Sequence, residues 1–264
     1  MPRRELGGRV VAITGAAGGL GRALVKAFLS HGARVAALDL DEAGLALLPA
    51  QVLALPCDVT QPQSCREGVA QIIERLGSLD VLVNNAGISH RSLLEATDPS
   101  VIRQVMEVNF FGTLNATQAA LESIVAARGA IVAVSSVAGF APLAARAGYA
   151  SSKHALHGLF DTLRAELDGS GVDVLIACPS FIRTGIERTH LGADGTPASG
   201  PRTVVGEALD PAEVAERIVC ALERGKHLLL VGHVAVLSYW LSRLAPALYA
   251  RLMVRRMRAE LGRS

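Results

Sequence analysis

The chain has 264 residues, half of them hydrophobic but only 4% aromatic, so its core must be built mainly from Ala, Val, Leu and Ile. A net charge of +2 and a pI near 8.5 give no global reason to expect nucleic-acid binding, and the length allows one large α/β domain or two small ones. Cys57, Cys65, Cys178 and Cys220 form no CxxC or metal-ligand pattern, which excludes an obvious metal site and suggests a reducing compartment.

The start, MPRRELGGRVVAITG, passes almost at once into an apolar run without an h-region or cleavage site, so a cytoplasmic location is expected. Strands are predicted at 9–14, 33–39, 51–58, 79–84, 129–136, 172–178 and 227–231. Their near-continuous apolar character suits a parallel sheet covered on both faces. Helices are predicted between them, at 20–31, 42–48, 61–76, 98–127, 149–168 and 211–224. Asp98-Pro99 and Asp210-Pro211 each supply an N-cap acceptor followed by proline at the first helical position. This alternation implies an α/β fold: a single-domain, doubly wound parallel sheet of about seven strands. The Gly-, Pro- and Thr-rich stretch 185–210 breaks the pattern and reads as a lid. The organisation expected is therefore a catalytic domain over 1–233 that includes this lid, followed by a helical tail over 234–264.

TGAAGGLG (14–21) lies where the first strand gives way to the first helix. Gly15, Gly19 and Gly21 remove side chains so that backbone N–H groups can approach a pyrophosphate at a helix N-terminus. Asp39 ends the second strand 24 positions after Gly15, near the spacing of about 20 for a ribose-binding carboxylate. A carboxylate there accepts bonds from ribose hydroxyls and repels a 2′-phosphate. Its neighbours Ala16 and Leu40 are not basic, so NAD(H) is expected in preference to NADP(H).

YASSK (149–153) sets Tyr149 and Lys153 four residues apart, on one helix face, in a chain with far more arginine than lysine. A solvated helix face would accept arginine equally well, but a proton-transfer site favours the compact ammonium. A free tyrosine titrates near 10, and bringing it to about 7 takes roughly 4 kcal/mol of phenolate stabilisation. A neighbouring ammonium in a partly desolvated cleft supplies much of that.

These motifs occur together with Asp58-Val59, NNAG (84–87), Asn109 within VNFFG, SSVAG (135–139) and PSFIRT (179–184). In this order they resemble the short-chain dehydrogenase/reductase family from end to end, and NNAGISHRSLLEATDPSVIRQVMEVNFFGT is most similar to its steroid- and lipid-alcohol-handling members. The resemblance implies a Rossmann-like fold and hydride transfer between NAD(H) and a hydrophobic secondary alcohol or ketone. It implies Tyr149 as general acid/base, Ser136 orienting the substrate oxygen, Lys153 on the nicotinamide ribose, and Asn109 holding a water that links Lys153 to solvent. The cofactor residues it implies are Gly15, Gly19, Leu20, Gly21, Asp39, Asp58, Val59, Asn84, Ala86, Gly87, Tyr149, Lys153, Pro179, Ile182 and Thr184. Ser180 departs from the glycine usual after Pro179. Ser135 competes with Ser136 but would point to the opposite face of the strand. His90, Phe140 and Phe181 are candidates for the substrate pocket beside Ser136 and Tyr149; a loop histidine without a role and ordinary core aromatics are the alternatives.

A homodimer or homotetramer is expected. Two other readings stand: a 3-ketoacyl reductase using NADPH, and a non-catalytic dinucleotide-sensing protein. In the tail, helical periodicity puts Arg251, Arg255 and Arg258 on one stripe. Tyr249, Leu252, Met253 and Met257 gather opposite, with Arg256 a blemish among them. Such a helix covers the substrate cavity or a subunit, touches an anionic membrane surface weakly, or simply packs with a solvated basic face.

Overall fold

The computed structural model describes residues 4–183, 190–198 and 206–257. Seven strands, β1 (Val10–Thr14), β2 (Arg34–Asp39), β3 (Leu53–Pro56), β4 (Val81–Asn84), β5 (Ala130–Val134), β6 (Asp173–Pro179) and β7 (Leu228–Val231), form one sheet. Its order is β3-β2-β1-β4-β5-β6-β7 and every pairing is parallel. The predicted doubly wound sheet is thus the observed one. β5 stops at Val134 rather than Ser136, because the Ser136 hydroxyl turns to accept the Ala138 N–H and cap a short turn at Val137–Gly139.

The helices described are α1 (Gly19–Ser30), α2 (Glu42–Leu45), α3 (Pro62–Leu76), α4 (Pro99–Met106), α5 (Gly112–Ala126), α6 (Ala147–Glu166), α7 (Pro211–Glu223), α8 (His233–Leu244) and α9 (Pro246–Arg256). Asp98 and Asp210 cap α4 and α7 as expected, each accepting a backbone N–H two residues on. α2 is shorter than the predicted 42–48; Pro49 disfavours helical geometry at the residue before it. The long helix predicted over 98–127 is broken into α4 and α5 by a π-helical turn at Glu107–Phe111 that contains Asn109.

Alternate residues of β1 serve opposite cores, which is why the strand can be apolar throughout. Val11 and Ile13 pack with Leu24 and Phe28 of α1 and Ile218 of α7. Val10 and Ala12 face Ile72 of α3, Ile124 of α5 and Phe160 of α6. The strand order reverses between β1 and β4, the topological switch point at which such sheets bind ligands outside their carboxyl ends. Among the described residues no helix is long and apolar enough to cross a membrane.

Candidate active site

A cleft of about 1100 Å³ opens at the carboxyl ends of β1, β2, β4, β5 and β6. One end is built from the glycine loop. Gly15 has φ +64°, and a Cβ there would come within 2.7 Å of the Ala86 Cα; a Cβ on Gly21 would meet the Gly15 carbonyl oxygen at 2.1 Å. Both positions therefore need glycine. Gly18 precedes α1 without any side-chain cap, so the first-turn N–H groups of α1 are offered at the wall that Gly18, Gly19, Leu20 and Gly21 form. Asp39 borders this end, its Oδ2 accepting the Ala17 N–H at 2.8 Å and its Oδ1 the Asp41 N–H at 3.0 Å. These features, a glycine-rich loop over an uncapped helix start with a carboxylate beside it, fit a dinucleotide.

The middle of the cleft is lined by Ser136, Tyr149 and Lys153. Lys153 lies one turn after Tyr149 on α6, with Nζ 5.8 Å from the Tyr149 ring centroid. The ammonium donates to the Val134 carbonyl at 2.8 Å. Burial pushes its pKa down to about 8, the nearby Cys178 sulfur opposing only weakly. Asn109 lies fully buried behind them. Its Oδ1 accepts the Ile88 N–H at 2.8 Å, while its Nδ2 donates to the Ile88 carbonyl and the Ser152 hydroxyl, each at 2.9 Å. Asn109 thereby pins the NNAG loop to α6. A phenol and an ammonium so placed can move a proton at a bound oxygen.

Residues 9–192 match the family profile described as short chain dehydrogenase. The chain belongs to the short-chain dehydrogenase/reductase family. It is 35% identical to the bovine (Bos taurus) protein named dehydrogenase/reductase SDR family member 7B, over 95% of this chain and 82% of that one. The zebrafish (Danio rerio) protein of the same name is also 35% identical, over 99% of this chain and 89% of its own length. A short-chain dehydrogenase/reductase from Burkholderia phymatum, crystallised with NAD, superposes with a TM-score of 0.80 at 26% identity, covering 99% of this chain and 97% of its own. A short-chain dehydrogenase from Burkholderia cenocepacia J2315, crystallised with NADP, gives 0.82 at 29% identity, covering 95% and 99%.

In this short-chain dehydrogenase/reductase, Gly15, Gly19, Leu20, Gly21, Asp39, Asp58, Val59, Ala86, Gly87, Pro179, Ile182 and Phe181 all line the same cleft as Ser136, Tyr149 and Lys153. Thr184 and Arg258 lie outside the described residues. Three candidates sit elsewhere. Asn84, expected at the cofactor, points into the protein and donates to the Thr117 hydroxyl at 3.0 Å; the cleft is lined instead by Asn85, whose amide holds the carbonyls of Thr14 and Gly15. Successive side chains at a strand end point to opposite faces, so a pair of adjacent asparagines left this choice open. Phe140 packs edge-on against Tyr239, ring centroids 5.2 Å apart, rather than lining the cavity.

His90 is the third. It is fully buried, its Nε2 accepting the Gly148 N–H at 2.8 Å and its Nδ1 facing the Ser92 hydroxyl at 3.2 Å. Its backbone bridges to Leu191, within the stretch expected to be a lid. His90 thus joins the first turn of α6, one residue before Tyr149, to the backbone at Leu191. Burial pushes its pKa to about 4, with the Arg146 charge adding to the effect. The unfolded imidazole titrates near 6.5. Between these values the unfolded chain holds the extra proton, so stability is lost as pH falls from about 6.5 toward 4; His157, buried and also near 4, acts in the same direction. Replacing His90 with Leu is expected to cost ~1–3 kcal/mol at neutral pH by leaving the Gly148 N–H buried without an acceptor. Urea unfolding at pH 7.5 and 5.5 checks this: the variant should be less stable at the first pH and lose less on moving to the second. Unchanged stability would refute the role.

Ser135, the neighbour of Ser136, also reaches the cleft wall, but its hydroxyl lies 3.1 Å from His157 Nε2. Sequence reasoning did not name Arg22, Ser89, Arg146, His190 or the α8 residues Val234, Leu237, Ser238 and Leu241 as cleft residues. Arg22 was legible, four residues after Gly18 on the helix that opens at the loop. Its guanidinium is held by the carbonyls of Ala17, at 2.7 Å, and Gly44, at 3.3 Å.

Proposed function

We propose that the chain transfers hydride between NAD(H) and a hydrophobic secondary alcohol or ketone, with Tyr149 as general acid/base. The observation that carries this reading is that one cleft brings these groups together. Ser136, Tyr149 and Lys153 stand in its middle, the glycine loop and Asp39 at one end, and Leu143, Leu237, Leu241, Met253 and Met257 at the other. A bound dinucleotide would accept or supply the hydride. Ser136 would hold the substrate oxygen. The Tyr149 phenolate takes the hydroxyl proton as an alcohol is oxidised, and the phenol returns it as a ketone is reduced. Lys153 steadies the phenolate by its charge, and its burial makes that charge worth more than it would be in water. The apolar end excludes water and binds the hydrocarbon part of the substrate.

Asp39 carries the coenzyme preference. Its carboxylate borders the site where an adenosine ribose would lie, exposed Leu40 follows it, and the Arg22 guanidinium is already held by two carbonyls. The double variant Asp39→Ala with Leu40→Arg is expected to move the kcat/KM ratio for NADH over NADPH toward NADPH by at least tenfold. A panel of ketones and secondary alcohols of graded size, followed by absorbance of either reduced coenzyme, tests the whole reading. Turnover should favour NADH and bulky apolar substrates. Preference for NADPH with short acyl thioesters would favour the ketoacyl-reductase alternative, and coenzyme binding without turnover would favour the sensing one.

A further inference from the structure

We propose that the hairpin α8–α9 docks on an anionic lipid surface, and that apolar substrate passes from the bilayer into the cleft beside it. The docking stands independently of the proposed reaction; the passage of substrate rests on it.

Thirteen large hydrophobic side chains are exposed among the described residues, and seven of them lie between Val236 and Val254. A cover for this face is therefore to be expected. On α8, Val236, Leu237, Trp240 and Leu244 share one stripe at helical spacing. Leu244 is 78% exposed and Trp240 55%. On α9, Leu248 and Leu252 lie one turn apart, flanked by Arg251 and Arg255 on one side and Arg256 on the other.

Charge decides what the cover is. From His233 to Met257 there is no Asp or Glu, but there are Arg243, Arg251, Arg255 and Arg256. A second copy of the chain meeting this face about a two-fold axis would set the same patch against itself and bring these arginines together with no acid to offset them. A lipid surface bearing anionic headgroups takes the leucines and the tryptophan into its interface and pairs with the arginines. The arrangement, apolar residues edged by arginine, is that of a helix lying in the interfacial plane.

The face is also the rim of the cleft. Leu237 and Leu252 are exposed on the outer surface and line the cavity as well. Arg256, out of place on an apolar stripe in the sequence, is a cavity-lining residue at the same rim. The hairpin is tied to the loop after β5 by the Tyr249 hydroxyl, which donates to the Pro142 carbonyl at 3.1 Å, and by Ser242, which donates to the Phe140 carbonyl at 3.4 Å. A substrate dissolved in the bilayer would meet the cavity mouth without crossing water.

Trp240 is the single tryptophan of the chain, so its emission reports on this hairpin alone. With the full chain, adding phosphatidylcholine vesicles that contain about a third phosphatidylglycerol should shift the emission to the blue and increase light scattering by bound vesicles. Pure phosphatidylcholine should do neither, and raised salt should reverse both. Leu244→Glu, and separately Arg251→Glu with Arg255→Glu, replace no residue that lines the cleft. Each is expected to weaken vesicle binding at least tenfold, about fivefold being expected per arginine lost at such a surface, while NADH binding and circular dichroism stay as in the parent. Emission unmoved by anionic vesicles would overturn the proposal. So would a blue shift that follows protein concentration in the absence of lipid, which would assign the face to a second copy. Because none of these readings requires turnover, failure of the oxidoreductase reading would leave the docking result standing by itself.

Discussion

Tyr149→Phe is expected to leave the fold and coenzyme affinity close to the parent while lowering kcat by ~10²–10⁴-fold, the usual contribution of a positioned general acid or base. The substitution removes one oxygen and keeps the ring. Tyr149 sits in the third position of α6, whose start is held from outside by the Gly148–His90 bond. Lys153 keeps its bond to the Val134 carbonyl, so the wall of the cleft should not collapse. What is lost is the only proton carrier in the proposed reaction. Ser136 lines the same cleft, but a serine hydroxyl ionises too reluctantly to replace the phenol. The measurement is kcat with the best alcohol from the substrate panel, alongside NADH binding by fluorescence. A variant within a few-fold of the parent would end the assignment of Tyr149 as the acid/base.

Lys153→Met should lower turnover by at least a hundredfold and also change how stability responds to pH, a readout that catalysis alone would not move. In the coenzyme-free protein the ammonium is buried, and burial holds its pKa near 8, against about 10.4 in the unfolded chain. Above 8 the folded protein has given up a proton that the unfolded chain still holds. Stability therefore rises with pH between about 8 and 10 wherever this group dominates. Below 8 the folded state carries a buried charge, at a cost of ~3 kcal/mol by this difference at 1.36 kcal/mol per pKa unit. The methionine variant should show no such rise in urea unfolding across that interval. It forgoes the bond to Val134, so its absolute stability is a less direct test than the slope. An unchanged slope would mean that Lys153 is not the group held neutral with such ease. In the parent, activity in the oxidative direction should respond to the same charge. As Lys153 loses its proton, the phenolate loses the cation that favours it.

The strands and the glycine loop were legible because their determinants are local. A parallel strand covered on both faces is apolar at every position, as in β1 and β5, and a loop that cannot tolerate a Cβ must show its glycines openly, as at Gly15 and Gly21. Tyr149 and Lys153 were legible for the same reason: helical periodicity alone brings residues four apart to one face. The cap residues Asp98 and Asp210 act on backbone N–H groups two positions away. The break at Asn109 was not legible in this way: periodicity ran one helix over 98–127, and a single asparagine, though a poor helix former, does not mark where a π-helical turn will fall.

What only the tertiary structure decided involves partners far apart in the chain. His90 turned inward because its acceptor nitrogen meets Gly148, 58 residues on. Asn84 and Asn85 are the same residue type in the same motif, and only the packing of α5 beneath β4, with Thr117 waiting for one of them, determined which faces the cleft. Phe140 was claimed by Tyr239 on α8. The apolar end of the cavity was built largely by α8 and α9, and Tyr249 reaches back 107 residues to Pro142 to hold it there. Periodicity and spacing record what a residue does for its own element. They carry no record of which distant surface an exposed leucine or an inward histidine will meet, because that is fixed by the closure of the whole chain around its sheet.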